Sequence, residues 1–104
     1  MHKSETFQLF ERAIADKKQI VCMYQGYQRE LCPHVVGWSD NGEQALSFQF
    51  AGGSSKGLPA GGQWRCFELN QVHDARLRDG LWHTGDSHKK PQKCVKDVAL
   101  EVDY

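Results

Sequence analysis

The chain has 104 residues, enough for one domain with a single core and too few for a core plus an independent second module. Its 13 Lys and Arg balance 13 Asp and Glu, which excludes a polymer binder held by bulk charge and leaves only a local anion site. No apolar run reaches membrane-spanning length, and the opening Met-His-Lys-Ser-Glu-Thr leads into an amphipathic pattern rather than a signal peptide, so a cytoplasmic protein with no membrane partner is expected. From Ser4 to Lys18 the apolar residues Phe7, Phe10, Ala13 and Ile14 fall three or four apart. Ser4 is placed to cap, Glu5 stands in the first turn and Lys17 with Lys18 in the last, so the spacing predicts one amphipathic helix over 4–18.

After the helix the period changes to two. Ile20 to Gln25 reads as a strand buried on both faces, Gly26 as a tight connection, and Arg29 to Trp38 as a second strand bent where Pro33 removes a donor. Asp40-Asn41-Gly42 is a hairpin turn, and Leu46, Phe48 and Phe50 then alternate with Ala45, Ser47 and Gln49 in a half-buried third strand. The Gly-rich stretch 51–62 is a loop; its Gly53-Ser54-Ser55-Lys56 lacks the ending of a phosphate-binding Walker loop. Gln63 to Val72 is a strand-like run, and Val72 to Asp79 a fifth strand. Barrel strands therefore occupy about 19 to 79, an irregular segment rich in His, Lys and Pro covers 80–94, and a last strand over 95–104 closes or extends the sheet. The expected fold is a single domain over 1–104, mainly β with one N-terminal helix, in a small, partly open antiparallel β-barrel.

The order just derived resembles the WYL domain, a bacterial module with an SH3-like (Sm-like) barrel. The residues that carry the likeness are Ala13-Ile14 at the helix end with Ile20 and Tyr24, Arg29 with Pro33, and above all Trp64-Arg65-Cys66-Phe67-Glu68-Leu69-Asn70-Gln71-Val72. That last segment is similar to the family's Arg-x-Phe-x-Leu-Asp-Arg-Ile in Arg65, Phe67, Leu69 and the aliphatic Val72. The likeness runs from the first helix to Leu77. It departs where the family has Trp-Tyr-Leu and this chain Gln44-Ala45-Leu46, where Asn70 and Gln71 stand for Asp and Arg, and where Glu68 replaces a common second Arg. The resemblance implies a ligand-sensing or nucleic-acid-binding module akin to those of transcription regulators, and a stand-alone one is expected, with no winged helix-turn-helix of the kind that precedes it in them.

The candidate pocket joins Arg65, Arg29, Tyr24, His34 and Ser47, because guanidinium, hydroxyl and imidazole groups on neighbouring strands converge where a small barrel opens. Arg65 shares a strand face with Phe67 and Leu69, so its fork meets either a carboxylate of the chain, such as Glu30 or Glu68, or an anionic ligand. The ligand class is a nucleotide, an oligonucleotide or a phosphorylated small molecule, with Arg76 and Arg78 as further nucleic-acid contacts in competition with a solvated face of mixed charge. The alternative is a protein-interaction or homodimerisation module presenting Trp38, Trp64 and Trp82 or an open strand edge. Cys32, His34, His83, His88 and Cys94 offer metal donors, but their spacing fits no common zinc knuckle, so neither metal nor cofactor is expected. Cys22, Cys32, Cys66 and Cys94 are expected as reduced thiols with no disulfide. With no Gly-x-Ser-x-Gly elbow and no His-Glu-x-x-His helix, no enzyme is expected.

Overall fold

Helix α1 spans Glu5–Asp16, and its start is fixed twice. The Ser4 hydroxyl accepts from the Phe7 amide at 3.0 Å and donates to Glu43 at 2.5 Å, while the Ser4 amide donates to the other oxygen of Glu43 at 2.9 Å. One cap thus closes the first turn and ties the helix to the sheet. At the other end Lys17 adopts a left-handed conformation with φ 52°, and its amide returns to Ala13 and Ile14. The buried stripe is Phe7, Phe10, Ala13 and Ile14, as the spacing predicts. The structure, a computed structural model, describes residues 3–53, 57–58, 61–83 and 94–102.

Six antiparallel strands follow among the described residues: β1 (Gln19–Tyr24), β2 (Tyr27–Ser39), β3 (Gly42–Gly52), β4 (Gln63–Glu68), β5 (Val72–Arg78) and β6 (Asp97–Glu101). The path of the sheet is β4-β3-β2-β1-β5, with β6 added beside β2, and it does not close into a barrel. Gln25 and Gly26 both have positive φ, 53° and 82°, which is the turn geometry that suits the twist of a two-residue hairpin. Pairing of β2 with β3 shifts register between Pro33 and Val35, where the missing proline donor bends the strand. The bend divides β2: its first half pairs with β1, and Val35 to Trp38 pair with β6. Among the described residues no helix is long and apolar enough to cross a membrane.

Four sequence expectations are corrected. Gln63 to Val72 is not one strand, because Leu69–Gln71 forms a 3-10 turn between β4 and β5. Leu69 is buried in either geometry, so alternation alone could not reveal the turn. The third strand is covered on both faces, with Ala45, Ser47 and Gln49 wholly buried and Phe48 nearly so. The last strand is shorter than 95–104 as far as the described residues go: β6 pairs with β2, and its Val98 remains 48 % exposed. Finally, Cys66 and Cys94 form a disulfide, with Cα atoms 5.7 Å apart, while Cys22 and Cys32 are free and buried. Compartment reasoning is blind to which thiols the fold brings together; here the return of the chain towards β6 sets Cys94 beside β4.

The main core lies between α1 and the face of the sheet carrying Ile20, Leu31, Val36, Ala45, Phe67 and Val72. That inner face is not apolar throughout. Register sets Arg29 opposite Cys22, Tyr27 opposite Tyr24, Gln49 opposite Leu31 and Arg65 opposite Ser47, so one end of the same face carries polar side chains.

Candidate functional site

Arg29 is the largest fully buried side chain among the described residues. Its guanidinium donates to Gln49 Oε1 and to the Tyr24 carbonyl, both at 3.2 Å, while Nε has no partner among the described residues. The group lies 5.4 Å from the centroid of the Tyr24 ring and 5.7 Å from that of Tyr27, so the quadrupoles of two aromatic faces replace part of its lost hydration. No carboxylate among the described residues pairs with it. Burial, and then repulsion from Arg65, push its pKa down, yet a guanidinium remains charged at neutral pH.

The acceptors around Arg29 are themselves held. The Gln49 amide nitrogen donates to the carbonyls of Ala51 at 3.1 Å and Gly53 at 3.0 Å, which turns its oxygen towards the arginine. Tyr24 is fixed through its hydroxyl, which accepts from the Glu68 amide at 3.2 Å, and through an edge contact with Phe67 at 4.8 Å. Gly53 stands so close to Tyr27 that a Cβ there would lie 3.0 Å from the ring. The Gly-rich stretch therefore begins against the aromatic wall of the site.

Arg65 on β4 is half-buried and makes neither a hydrogen bond nor an ion pair with a described residue. The acids that could have tied it are engaged elsewhere: Glu30 pairs with Arg78 at 2.6 Å, and the Glu68 carboxylate accepts from Gln71 at 2.7 Å. Opposite Arg65, Ser47 is wholly buried and its hydroxyl has no partner among the described residues. The structure thus brings together Arg29, Arg65, Tyr24 and Ser47 from the sequence candidates. It adds Gln49 and Tyr27, which sequence reasoning passed over; the only available signal was a glutamine in register with the small residues Ala45 and Ser47 of a strand.

His34 is set apart from them. Its ring packs against Trp64 at 4.5 Å and Trp82 at 4.3 Å, and Phe48 meets Trp64 at 5.3 Å, on the side of β3 and β4 opposite to Arg65. His34 Nδ1 lies 2.7 Å from the Cys32 carbonyl, so that nitrogen carries the proton. The Cys32 thiol accepts from the His83 amide at 3.2 Å, and burial pushes its pKa up to about 11. Among the described residues no three His, Cys, Asp or Glu side chains gather as metal ligands would; His88 lies outside them. Arg78 is bound by Glu30 and by Gln19 Oε1 at 2.8 Å, whereas Arg76 is exposed. The three tryptophans are half-buried rather than exposed, with Trp38 stacked on Phe7 at 4.8 Å, so they form no open aromatic surface. Compared with family models, curated proteins and solved structures, the chain matches none.

Proposed function

We propose that this protein is an anion-recognition module in which Arg65 and Arg29, backed by Ser47, receive a phosphate or carboxylate of a nucleotide, an oligonucleotide or a phosphorylated small molecule. One observation carries the reading: a fully buried guanidinium with only neutral acceptors among the described residues lies near a second guanidinium that pairs with none of them. Buried charges are ordinarily paired, because desolvation costs several kcal/mol per ion. Two cations that repel each other, with no carboxylate partner among the described residues, are stabilised once an anion joins them, and the half-buried Arg65 is the member that solvent reaches. The strand order β4-β3-β2-β1-β5 and the 3-10 turn between β4 and β5 support an SH3-like (Sm-like) arrangement, and with it a divergent WYL-like module. The departures at Asn70 and Gln71 fall in that 3-10 turn, where both residues are exposed, so they bear on partner surfaces more than on the buried Arg29.

The test is titration with inorganic pyrophosphate and with a short single-stranded oligothymidylate, at low and high salt. Binding should weaken as salt rises. Arg65→Ala should abolish it while leaving cooperative unfolding intact, and Arg65→Lys should recover little, since an ammonium keeps the charge and loses the two-pronged geometry. Equal binding by wild type and Arg65→Ala would sink the proposal.

A further inference from the structure

The Cys66–Cys94 disulfide has a neighbour that a purely structural bridge does not need. Gln44, on β3, is 7 % exposed, and its amide oxygen lies 2.9 Å from Cys66 Sγ and 3.6 Å from Cys94 Sγ. Neither sulfur of a disulfide carries a proton, so in this state the buried oxygen faces two atoms that cannot donate to it. The Gln44 side chain has no other hydrogen bond among the described residues. In the dithiol state the Cys66 S–H group would face it. A buried acceptor left without a donor is costly, whereas a thiol donor satisfies it. Gln44 therefore favours the reduced pair.

The bridge also has a mechanical consequence. Cys94 opens the segment 94–102, which passes over Gly37 so closely that a Cβ there would meet the Asp97 carbonyl and the Val95 side chain. The segment then pairs with β2 as β6 and sets Val95 and Val102 into the interior. Beyond the bridge it is held by backbone bonds from Lys96 to Trp38 at 3.0 Å and from Val102 to His34 at 2.7 Å, and by an exposed Lys96–Asp40 pair at 2.6 Å. The bridge closes a loop with a sequence separation of 28, and opening a loop of that length returns appreciable freedom to the chain. Cys66 itself is exposed, so a reagent can reach the bridge.

We propose that Cys66–Cys94 is a thiol–disulfide exchange site for an external dithiol, and that it latches the segment 94–102 onto the sheet. A thiolate of the dithiol attacks Cys66 Sγ, forming a mixed disulfide as the Sγ–Sγ bond breaks, and Cys94 leaves as a thiolate that takes a proton. The second thiol of the reagent attacks the mixed disulfide, frees Cys66 with its proton and departs as the oxidised disulfide. Two electrons and two protons pass to the protein. The Cys66 thiol, which stays on β4, then donates to Gln44, and the unlatched segment carrying Cys94 opens from β2. This inference does not depend on the anion reading.

The experiment equilibrates the native protein in dithiothreitol redox buffers and counts alkylated thiols by mass. Two groups should add, at Cys66 and Cys94, while Cys22 and Cys32 stay unmodified until the protein is unfolded. Amide exchange over 94–102 should accelerate about tenfold or more on reduction, with the rest of the sheet unchanged. Gln44→Leu should make the bridge harder to reduce by about tenfold, equivalent to about 30 mV for a two-electron couple. Gln44→Met, which keeps the length of the side chain, makes the same measurement should leucine disturb the packing. A bridge that opens only when the whole protein unfolds, unchanged exchange over 94–102, or a midpoint indifferent to residue 44 would each overturn the proposal.

Discussion

The two ends of the sheet's inner face are built to opposite rules. Under α1, Phe7, Phe10 and Ile14 meet Ile20, Leu31, Val36 and Phe67, with no charged side chain inside that cluster. At the other end the same face holds Arg29, Gln49 and Ser47, all wholly buried, with Arg65 at the margin. Burial contributes stability where it removes apolar surface from water, and it costs stability where it strips a cation of hydration without giving it a counter-charge. One face of one sheet therefore couples a stabilising half to a destabilised half. Destabilised buried charge is what a ligand can relieve, so the contrast points to where binding would act.

The largest expected effect lies under the helix. Phe10→Ala should lower unfolding free energy by about 3–5 kcal/mol in urea denaturation, as large-to-small changes at fully buried aromatic sites do. A loss within about 0.5 kcal/mol, the size usual for surface positions, would dissolve the comparison by placing α1 outside the core.

The boundary between the halves can be sharpened through Cys22, which faces Arg29 across the β1–β2 pair. Burial pushes its pKa from 9.0 up to about 11, against the smaller opposite pull of Arg29. A thiol raised in the folded state contributes stability fully present below the unfolded pKa and lost as pH rises through the folded one. Stability should therefore fall between pH 9.0 and about 11, with Cys22 accounting for about 2 kcal/mol at the upper end. Cys22→Ala should flatten that part of the profile. An unchanged slope would mean that solvent reaches the boundary.

The polar half is probed by Arg29→Met, which removes the charge and keeps an unbranched apolar chain. Stability should be unchanged or raised by about 1 kcal/mol, since replacing buried charge by a hydrophobe is often neutral or favourable. Stabilisation by pyrophosphate should shrink in the same variant. A loss of several kcal/mol would instead make Arg29 a structural post held by Gln49 and two tyrosine rings.

The smallest effect belongs to the Lys18–Asp79 pair at 2.6 Å, which lies outside both halves. Its hydrogen bond raises the lysine pKa and lowers that of the aspartate, so the pair persists above the ordinary aspartate pKa of 3.8 and is lost as pH falls through the lower folded value. Because both groups are exposed, Asp79→Asn should leave the urea midpoint at neutral pH within experimental scatter.

Much of the fold was legible locally. The three-and-four spacing of Phe7, Phe10, Ala13 and Ile14 with Ser4 before them specifies a capped helix, and Asp40-Asn41-Gly42 specifies the hairpin that joins β2 to β3. Pro33 marks the bend of β2, because a residue without an amide proton interrupts a ladder wherever the strand runs. The candidate site was legible only in part. Arg65, Arg29, Tyr24 and Ser47 stand out by residue type, but Gln49 lies 20 residues from the arginine it contacts and Tyr27 is an unremarked turn-side residue.

Backbone dihedrals, capping and period two or 3.6 are set by neighbours in the chain, so the sequence by itself determined the helix, most strands and the tight turns of this protein. Tertiary structure alone decided the meeting of Cys66 with Cys94, the turn that splits Glu68 from Val72, and the separation of His34 from Arg65 onto opposite sides of the sheet. Each depends on how distant segments pack and on which register buries the most apolar surface. No local pattern encodes such a choice.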